Sequence, residues 1–378
     1  MSTSRPAALD VHINLLWCAP GRVGGSEEYL VRQLMALRRA EVPVNDLACT
    51  VHLGERLAEA RPELSGCYRR VVHLDVDRRA VRIPFEHTAL AWRTRRADVV
   101  HHGGGTIPIV RPRVPTVLTV HDLQYRRFPQ YFSRGRLAYL RAMMPRSARA
   151  ATVVATPSAH VAADVVDAFD IDAARTVVVP HPVEIPVPDP ALVDEVRRRY
   201  TGAGRLFVFP AITHPHKGHL RLLEAIAHHW PDPDDRLVLI GGEGSEEPAV
   251  LGAIDRLGLG GRVVRPGRVA APERDALLAA ADLVVFPSEE EGFGAPVVEA
   301  MTLGTPVVCS DIPALAEVTG GAAVLTALDP EAIADGMRAA LGRSADLVAL
   351  GRWRAMAFSP EAAGAALATS YRQAARSR

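Results

Sequence analysis

The sequence predicts an α/β protein made of two Rossmann-like, doubly wound parallel-sheet domains. Three observations carry that expectation. Short apolar runs of buried-strand type alternate with segments of helical spacing along most of the chain, the pattern of parallel sheets covered on both faces. At 378 residues the chain exceeds one hydrophobic core, so two domains of about 150 to 190 residues are expected. Prolines cluster from Pro180 to Pro190, where the alternation pauses and then restarts. The expected boundaries are 1–182 and 183–355, with 356–378 as a final helical segment.

In the first half, Val11-His-Ile-Asn-Leu-Leu-Trp-Cys18 reads as the opening strand. The loop after it ends in Gly24-Gly25. Ser26 reads as a helix N-cap, Glu27 and Glu28 fall in the first turn where the dipole favours acids, and Leu30, Leu34 and Leu37 recur at helical spacing. Strand, Gly24-Gly25 loop and helix make a phosphate-binding arrangement, and the same glycines also suit an ordinary tight turn. Strands follow at Val44 to Leu53 and Arg70 to Leu74, then a helix from Ile83 to Arg96 and a strand from Ala97 to His102. His101 and His102 are adjacent and point to opposite faces of that strand. The loop Gly103-Gly-Gly-Thr-Ile-Pro108 leaves its carboxyl end, where open α/β sheets bind ligands. Thr116 to Leu123 is a further buried strand ending in His121-Asp122, an imidazole able to hydrogen-bond a hydroxyl or phosphate beside a carboxylate able to orient it.

Between Asp122 and Asp164 there is no acid, yet Arg126, Arg127, Arg134, Arg136, Arg141, Arg146 and Arg149 all occur. Leu137, Leu140 and Met144 give the helix from Ser133 to Ala148 an apolar stripe, interrupted at Pro145. The combination suits an anionic membrane surface, a phosphorylated soluble ligand, or a solvated helix face. Strands at Thr152 to Ser158 and Thr176 to Pro182 complete this half.

The second half opens with the strand Arg205-Leu-Phe-Val-Phe-Pro210, the loop Ala211-Ile-Thr-His-Pro-His-Lys-Gly218 and a helix from His219 to Trp230. Lys217 is the only lysine of the chain, a compact point charge in a background where every other strongly basic side chain is arginine. Leu237 to Gly244 and Arg262 to Arg268 each read as a strand and glycine turn. Then comes the stretch around which the rest is arranged, Phe286-Pro-Ser-Glu-Glu-Glu-Gly-Phe-Gly-Ala-Pro-Val-Val-Glu-Ala-Met301. It runs from a buried strand, Ala281 to Phe286, through a glycine loop into a helix whose first turn accepts Pro296. Gly292, Phe293, Gly294 and Ala295 therefore lie at a helix N-terminus, where amides and the dipole attract phosphate and hydroxyl oxygens. Glu291 and Glu299 are about 12 Å apart at helical rise, within reach of one extended ligand. Thr305 to Asp311 is a further strand, and Asp329-Pro330 and Ser359-Pro360 each read as an N-cap with a first-turn proline.

Bulk properties narrow the function. Lys plus Arg is 44 and Asp plus Glu is 43, a balance that argues against a nucleic-acid-coating surface. Cys18, Cys49, Cys67 and Cys309 are scattered with no paired spacing, as in a reduced compartment. His214, His216 and His219 lack a nearby carboxylate or thiolate partner for a metal, and Asp75-Val-Asp77 lies far from the glycine-glutamate motif, so no metal is expected. No stretch has the length and apolarity of a membrane span or a signal peptide, so a cytoplasmic protein, peripheral on the inner membrane face if the arginines dock there, is expected.

The paired glutamates bracketing Gly-Phe-Gly-Ala-Pro, with the Gly-Gly loop, His-Asp and Lys-Gly in this order, resemble the retaining GT-B glycosyltransferases numbered family 4, in a Pro-His-Lys variant. The resemblance implies two Rossmann-like domains facing a central cleft, with the last helix crossing back to the first domain. It implies transfer of a hexosyl group from a nucleoside diphosphate sugar, GDP-mannose or a TDP- or UDP-sugar, to a hydroxyl of a glycan, lipid-linked or natural-product acceptor. His121, Asp122, Lys217 and Glu291 are then the catalytic candidates. Gly24, Gly25, His216, Gly242, Arg268, Gly292, Phe293, Gly294, Ala295 and Glu299 join Lys217 and Glu291 as donor-binding candidates, with Glu291 on hexose hydroxyls and Glu299 on the ribose. His102, Gly103, Gly104, Tyr125 and Arg126 are the acceptor candidates. One residue departs from the family pattern: its arginine six positions before the lysine is Ala211, so His214 or His216, or a group elsewhere, supplies the second contact. The chemistry implied is same-face substitution in which the leaving phosphate oxygen takes the acceptor proton, with no cofactor. A sugar-nucleotide epimerase of the same architecture and a non-catalytic sugar-nucleotide-binding partner are the alternatives.

Overall fold

The computed structural model of the protein describes residues 8–20, 25–39, 46–111 and 113–377. The chain forms two compact units, residues 1–182 with 359–378 and residues 183–358.

The first unit holds a seven-stranded sheet: β1 (Leu9–Asn14), β2 (Leu47–Gly54), β3 (Tyr68–Val72), β4 (Val99–His102), β5 (Thr116–Thr119), β6 (Val153–Thr156) and β7 (Thr176–Val178). Its order is β3-β2-β1-β4-β5-β6-β7, with every adjacent pair parallel. Val11, Ile13, Val51, Val99, Val117 and Val153 are fully buried, as expected of strands covered on both faces. The second unit has a six-stranded sheet: β8 (Leu206–Pro210), β9 (Arg236–Ile240), β10 (Val263–Gly267), β11 (Leu283–Phe286), β12 (Val307–Ser310) and β13 (Val324–Thr326). Its order is β10-β9-β8-β11-β12-β13, again all parallel. In each sheet the order reverses once, between β1 and β4 and between β8 and β11, and the carboxyl ends of those strands are where a doubly wound sheet opens a ligand crevice.

Several boundaries differ from the sequence expectation for identifiable reasons. β1 stops at Asn14 rather than Cys18 because the Asn14 side chain accepts a hydrogen bond from Leu16 N at 3.1 Å and turns the chain. The helix after Gly24 begins at Gly25 and runs to Arg39, so Ser26 lies inside its first turn and is not the cap. The helix Arg134–Ala150 passes through Pro145 unbroken, losing only the hydrogen bond that proline cannot donate. The helical stretch expected from Ile83 starts at Arg79 and contains a wide turn, Glu86–Leu90. Asn14 Nδ2 donates to the Glu86 carboxylate at 2.9 Å. Asp329 and Ser359 do cap their helices, accepting from Ala332 N and Ala362 N.

The last helix, Pro360–Arg376, packs in the first unit against Gly25–Arg39. The approach is close enough that a Cβ on Gly364 would fall 2.6 Å from Ala36 O. Its far end is fixed by polar contacts. The Tyr371 hydroxyl meets His101 Nδ1 at 2.9 Å while His101 Nε2 meets Thr119 Oγ1 at 2.7 Å, and Arg372 pairs with both carboxylate oxygens of Asp46 at 2.9 and 2.8 Å. His101 is thus the structural member of the histidine pair, with burial pushing its pKa down to about 3. Among the described residues no helix is long and apolar enough to cross a membrane.

Candidate functional site

The carboxyl ends of β8 and β11 bring together residues that lie far apart in sequence. β8 runs into the Ala211–Gly218 loop and β11 into the Pro287–Gly294 loop, and Lys217 Nζ donates to Glu291 Oε1 across them at 2.6 Å. Both side chains are mostly buried, 18% and 12% exposed, and the ammonium also stands 5.9 Å from the centre of the Phe286 ring. Main-chain contacts hold the two loops in register. Glu289 N donates to His216 O at 2.7 Å, and Ser288 Oγ donates to the same carbonyl at 3.2 Å. Ser310 Oγ in turn donates to Ser288 O. Arg221 and Glu289 add an ion pair.

Gly218 explains why the lysine can stand there. Its φ is +81°, and a Cβ would lie 2.3 Å from Pro287 O, so any side chain would push the two loops apart. Gly218→Ala is therefore expected to lower stability by about 1–3 kcal/mol, the cost range of a left-handed non-glycine residue. The midpoint of urea unfolding measures it, and an unchanged midpoint contradicts the packing argument.

The histidines of this loop do not supply a second positive charge. Burial and the adjacent Lys217 ammonium push His216 down to about 3, and the same two causes lower His214. Neutral imidazoles there offer hydrogen bonds only. The His214 and His216 rings stack at 5.8 Å, and His214 Nδ1 accepts from Ser245 N at 3.4 Å. Arg268 is exposed beside the next glycine turn, its Nε 4.0 Å from where a Gly242 Cβ would be, so those two predicted residues do meet. Gly294, at φ +87°, caps the helix Ala295–Leu303, and a Cβ on it would lie 2.4 Å from Leu315 Cδ2. Gly292 and Ala295 flank it, both half-buried. The Phe293 ring is buried edge-on against Phe358 at 5.1 Å, so packing within the unit takes its side chain and leaves only its backbone for a ligand. Glu299 sits within the same helix, 5% exposed.

A buried polar group beneath these loops escaped the sequence reading. Arg265, Glu247 and Thr213 are linked by hydrogen bonds, Arg265 Nη2 to Glu247 Oε2 at 2.9 Å and Thr213 Oγ1 to the same oxygen at 2.6 Å. Burial works to raise the Glu247 carboxyl, and the Arg265 and Thr213 hydrogen bonds and the Arg265 charge outweigh it, leaving the carboxyl below its usual range. The available signal was a charged residue inside an otherwise apolar strand.

The first unit gathers its candidates at the ends of β4 and β5. His121 Nε2 donates to Gly103 O at 2.9 Å, and the ring packs against Tyr29 at 5.2 Å and Trp17 at 5.9 Å. Because a carbonyl can only accept, the proton is on Nε2 and Nδ1 is left as an acceptor. Burial holds the His121 pKa below its ordinary value against the opposing pulls of the Gly103 carbonyl and Asp122. Asp122 does not orient the ring through a hydrogen bond; its carboxylate accepts from Gln124 N at 3.0 Å and shapes the turn after β5. Gly103 and Gly104 are glycines for packing, since Cβ atoms there would lie 2.2 Å from Leu30 Cδ1 and 2.8 Å from Trp17 Cγ. His102 is buried with Nδ1 lacking a hydrogen-bond partner among the described residues. Tyr125 is buried among Leu123, Met144 and Val161 and does not present its ring. Gly25 opens its helix, and Gly24 lies outside the described residues.

The arginine-rich stretch is largely engaged with its own unit. Arg126 donates to Ala168 O, Arg146 to Ile107 O and Ile109 O, Arg149 to Phe169 O, and Arg127 pairs with Asp164. Leu137, Leu140 and Met144 pack into the core, so the apolar stripe faces protein. Asp77 is likewise paired, with Arg56 at 2.6 Å. Among the described residues no group of three or more His, Cys, Asp or Glu is arranged to hold a metal ion.

Two family models match the chain: Glycosyltransferase Family 4 over residues 23–185 and Glycosyl transferases group 1 over residues 204–343. The chain is 30% identical over 243 residues to the O-antigen chain mannosyltransferase B of Escherichia coli, covering 62% of this chain and 63% of that protein. It is 31% identical over 271 residues to the MMP alpha-(1->4)-mannosyltransferase of Mycolicibacterium hassiacum, covering 68% of this chain and 64% of that protein. The matched stretches thus span just under two thirds of these relatives' own length. Among solved structures, Anabaena HepE in complex with UDP-glucose superposes with a TM-score of 0.74 at 21% identity, covering 97% of this chain and 98% of that one. At that identity the likeness establishes the fold, GT-B.

Proposed function

Since the chain belongs to glycosyltransferase family 4, we propose that it transfers a hexosyl group from a nucleoside diphosphate sugar to an acceptor hydroxyl, with retention at the anomeric carbon. The observation that carries the reading is the Lys217–Glu291 pair at the point where the second sheet reverses its strand order. An ammonium and a carboxylate, set beside the glycine-capped N-terminus of Ala295–Leu303, match a diphosphate joined to a polyhydroxyl ring. Lys217 and the helix N-terminus stabilise diphosphate charge as the bond from the anomeric carbon to the phosphate oxygen breaks. Glu291 accepts from hexose hydroxyls and Glu299 from the ribose. The new bond to the acceptor oxygen forms on the same face, and the acceptor proton passes to the leaving phosphate oxygen. Charge stabilisation is assigned to Lys217 and not to a metal ion. In the first unit, the unprotonated Nδ1 of His121 is the group assigned to a substrate hydroxyl.

GDP-mannose is the first donor candidate, from the Pro-His-Lys resemblance, and the names of the two relatives above, both mannosyltransferases, favour the mannosyl group. A UDP-sugar is the second, since HepE was solved with UDP-glucose. A hydroxyl of a glycan, lipid-linked or natural-product molecule is the acceptor in this reading. Incubation with GDP-mannose, UDP-glucose and TDP-glucose in the presence of chelator, with nucleoside diphosphate release followed, tests it. Release with one donor supports transfer, an isomerised donor indicates an epimerase, and binding without turnover indicates a non-catalytic partner.

A further inference from the structure

We propose that Arg265 is a positioning residue of the nucleotide-sugar site, fixing the Gly241–Gly244 turn and the loop that carries Lys217 without touching the ligand. The inference rests on the reading that these loops hold a nucleoside diphosphate. It starts from the register of β10. Val264 pairs with Val238 and Gly267 with Ile240, so Arg265 and Pro266 together oppose the single residue Leu239. Such a bulge redirects a side chain from the sheet face, and here it turns a guanidinium inward under the carboxyl end of β9.

The side chain is 5% exposed, and its two terminal nitrogens are well supplied with acceptors, while Nε has no hydrogen-bond partner among the described residues. Nη1 donates to Leu239 O at 3.1 Å and Gly241 O at 2.8 Å, and Nη2 donates to Gly242 O at 3.2 Å and Glu247 Oε2 at 2.9 Å. A charge this deep is costly unless paired and hydrogen-bonded, so its placement implies a geometric task that an apolar side chain could not perform. That task continues through Glu247. Its carboxylate accepts a hydrogen bond from the Thr213 hydroxyl, and Thr213 Oγ1 accepts from Gly244 N at 2.7 Å while Thr213 N donates to Gly242 O at 3.3 Å. Lys217 N is bonded to His214 O, one residue beyond this knot. A single buried arginine thus ties two ligand-facing loops together.

The same geometry bears on Ala211, where the family arginine is missing. A Cβ on Gly241 would lie 2.2 Å from Ala211 O, so the two segments touch beside the Arg265 clamp. Arg265 is neutralised by Glu247 and shielded from solvent, so it supports this place from beneath and adds no free charge to it.

The test compares wild type, Arg265→Met and Thr213→Val, with GDP, UDP and TDP affinities by calorimetry, donor KM and kcat, and thermal unfolding. Arg265→Met is expected to weaken nucleotide binding and raise donor KM by about tenfold or more, with a smaller change in kcat. Thr213→Val, which removes one hydroxyl, is expected to weaken binding by about threefold to tenfold while keeping the wild-type melting temperature within a few degrees. A folded Arg265→Met protein with wild-type nucleotide affinity overturns the inference, because a merely structural arginine would change only the melting temperature. If that variant does not fold, unchanged affinity in Thr213→Val overturns it. Wild-type protein that binds none of the three nucleotides overturns the underlying reading and this inference with it.

Discussion

Replacing Lys217 with alanine is expected to cut turnover at saturating donor by about a hundredfold or more. The ammonium has no substitute in its loop. Burial, the larger of the two causes that lower His214 and His216, persists when the lysine is removed, and Ala211 carries no charge. In the proposed transfer, negative charge grows on the diphosphate oxygen as the glycosidic bond breaks, beside a lysine side chain that is 18% exposed. A lost charge-assisted contact of that kind costs about 2–4 kcal/mol in transition-state stabilisation, and about 1.4 kcal/mol is a factor of ten in rate. Lys217→Arg keeps the charge in a larger, planar group and is expected to fall between wild type and alanine. Steady-state turnover with the donor candidate that the release assay selects checks the series, and wild-type turnover in Lys217→Ala removes the lysine from the mechanism.

Glu291→Gln is expected to separate binding from transfer. Glu291 holds the lysine ammonium at 2.6 Å, so a diphosphate must compete with a carboxylate for the same cation. Glutamine keeps the shape and removes that competition. Affinity for a free nucleoside diphosphate is therefore expected to rise by about threefold to tenfold. Transfer is expected to fall by about a hundredfold, because the amide accepts more weakly from hexose hydroxyls as the sugar moves toward an oxocarbenium state. Calorimetry and turnover measured on one preparation check both halves. A parallel loss of affinity and turnover makes Glu291 a support for the loop and not a contact for the sugar.

The parts of the molecule that follow local rules were legible in the sequence. Apolar runs placed the buried strands, and short-range chemistry placed Asp329 and Ser359 as caps, because a cap is decided within three residues. The meeting of Lys217 with the Glu291 loop followed from two loops at strand ends, although their direct ion pair did not. What stayed hidden depends on partners remote in sequence. The wide turn at Glu86–Leu90 delivers Glu86 to Asn14, and nothing in the helical spacing marks it. Gly103 and Gly104 read as part of an acceptor loop at a strand's carboxyl end, and the sequence did not show that Leu30 and Trp17 leave no room for a Cβ on either. Asp122 read as the orienting partner of His121 because it is adjacent, whereas the Gly103 carbonyl and two aromatic rings hold that imidazole. The arginines from Arg126 to Arg149 read as a basic patch because composition cannot show that three of the seven, Arg126, Arg146 and Arg149, donate to carbonyls of their own unit and that Arg127 pairs with Asp164. Arg265 was invisible for the same reason, since a bulge and four carbonyl or carboxylate acceptors exist only once β9 and β10 pair.

The most direct measurement is a crystal structure of the protein soaked with GDP-mannose or UDP-glucose. Lys217 Nζ is expected to leave Glu291 for a diphosphate oxygen within hydrogen-bond distance, with Glu291 turned to a hexose hydroxyl and the diphosphate over the N-terminus of Ala295–Leu303. A nucleotide sugar bound elsewhere, with the Lys217–Glu291 pair intact, contradicts it.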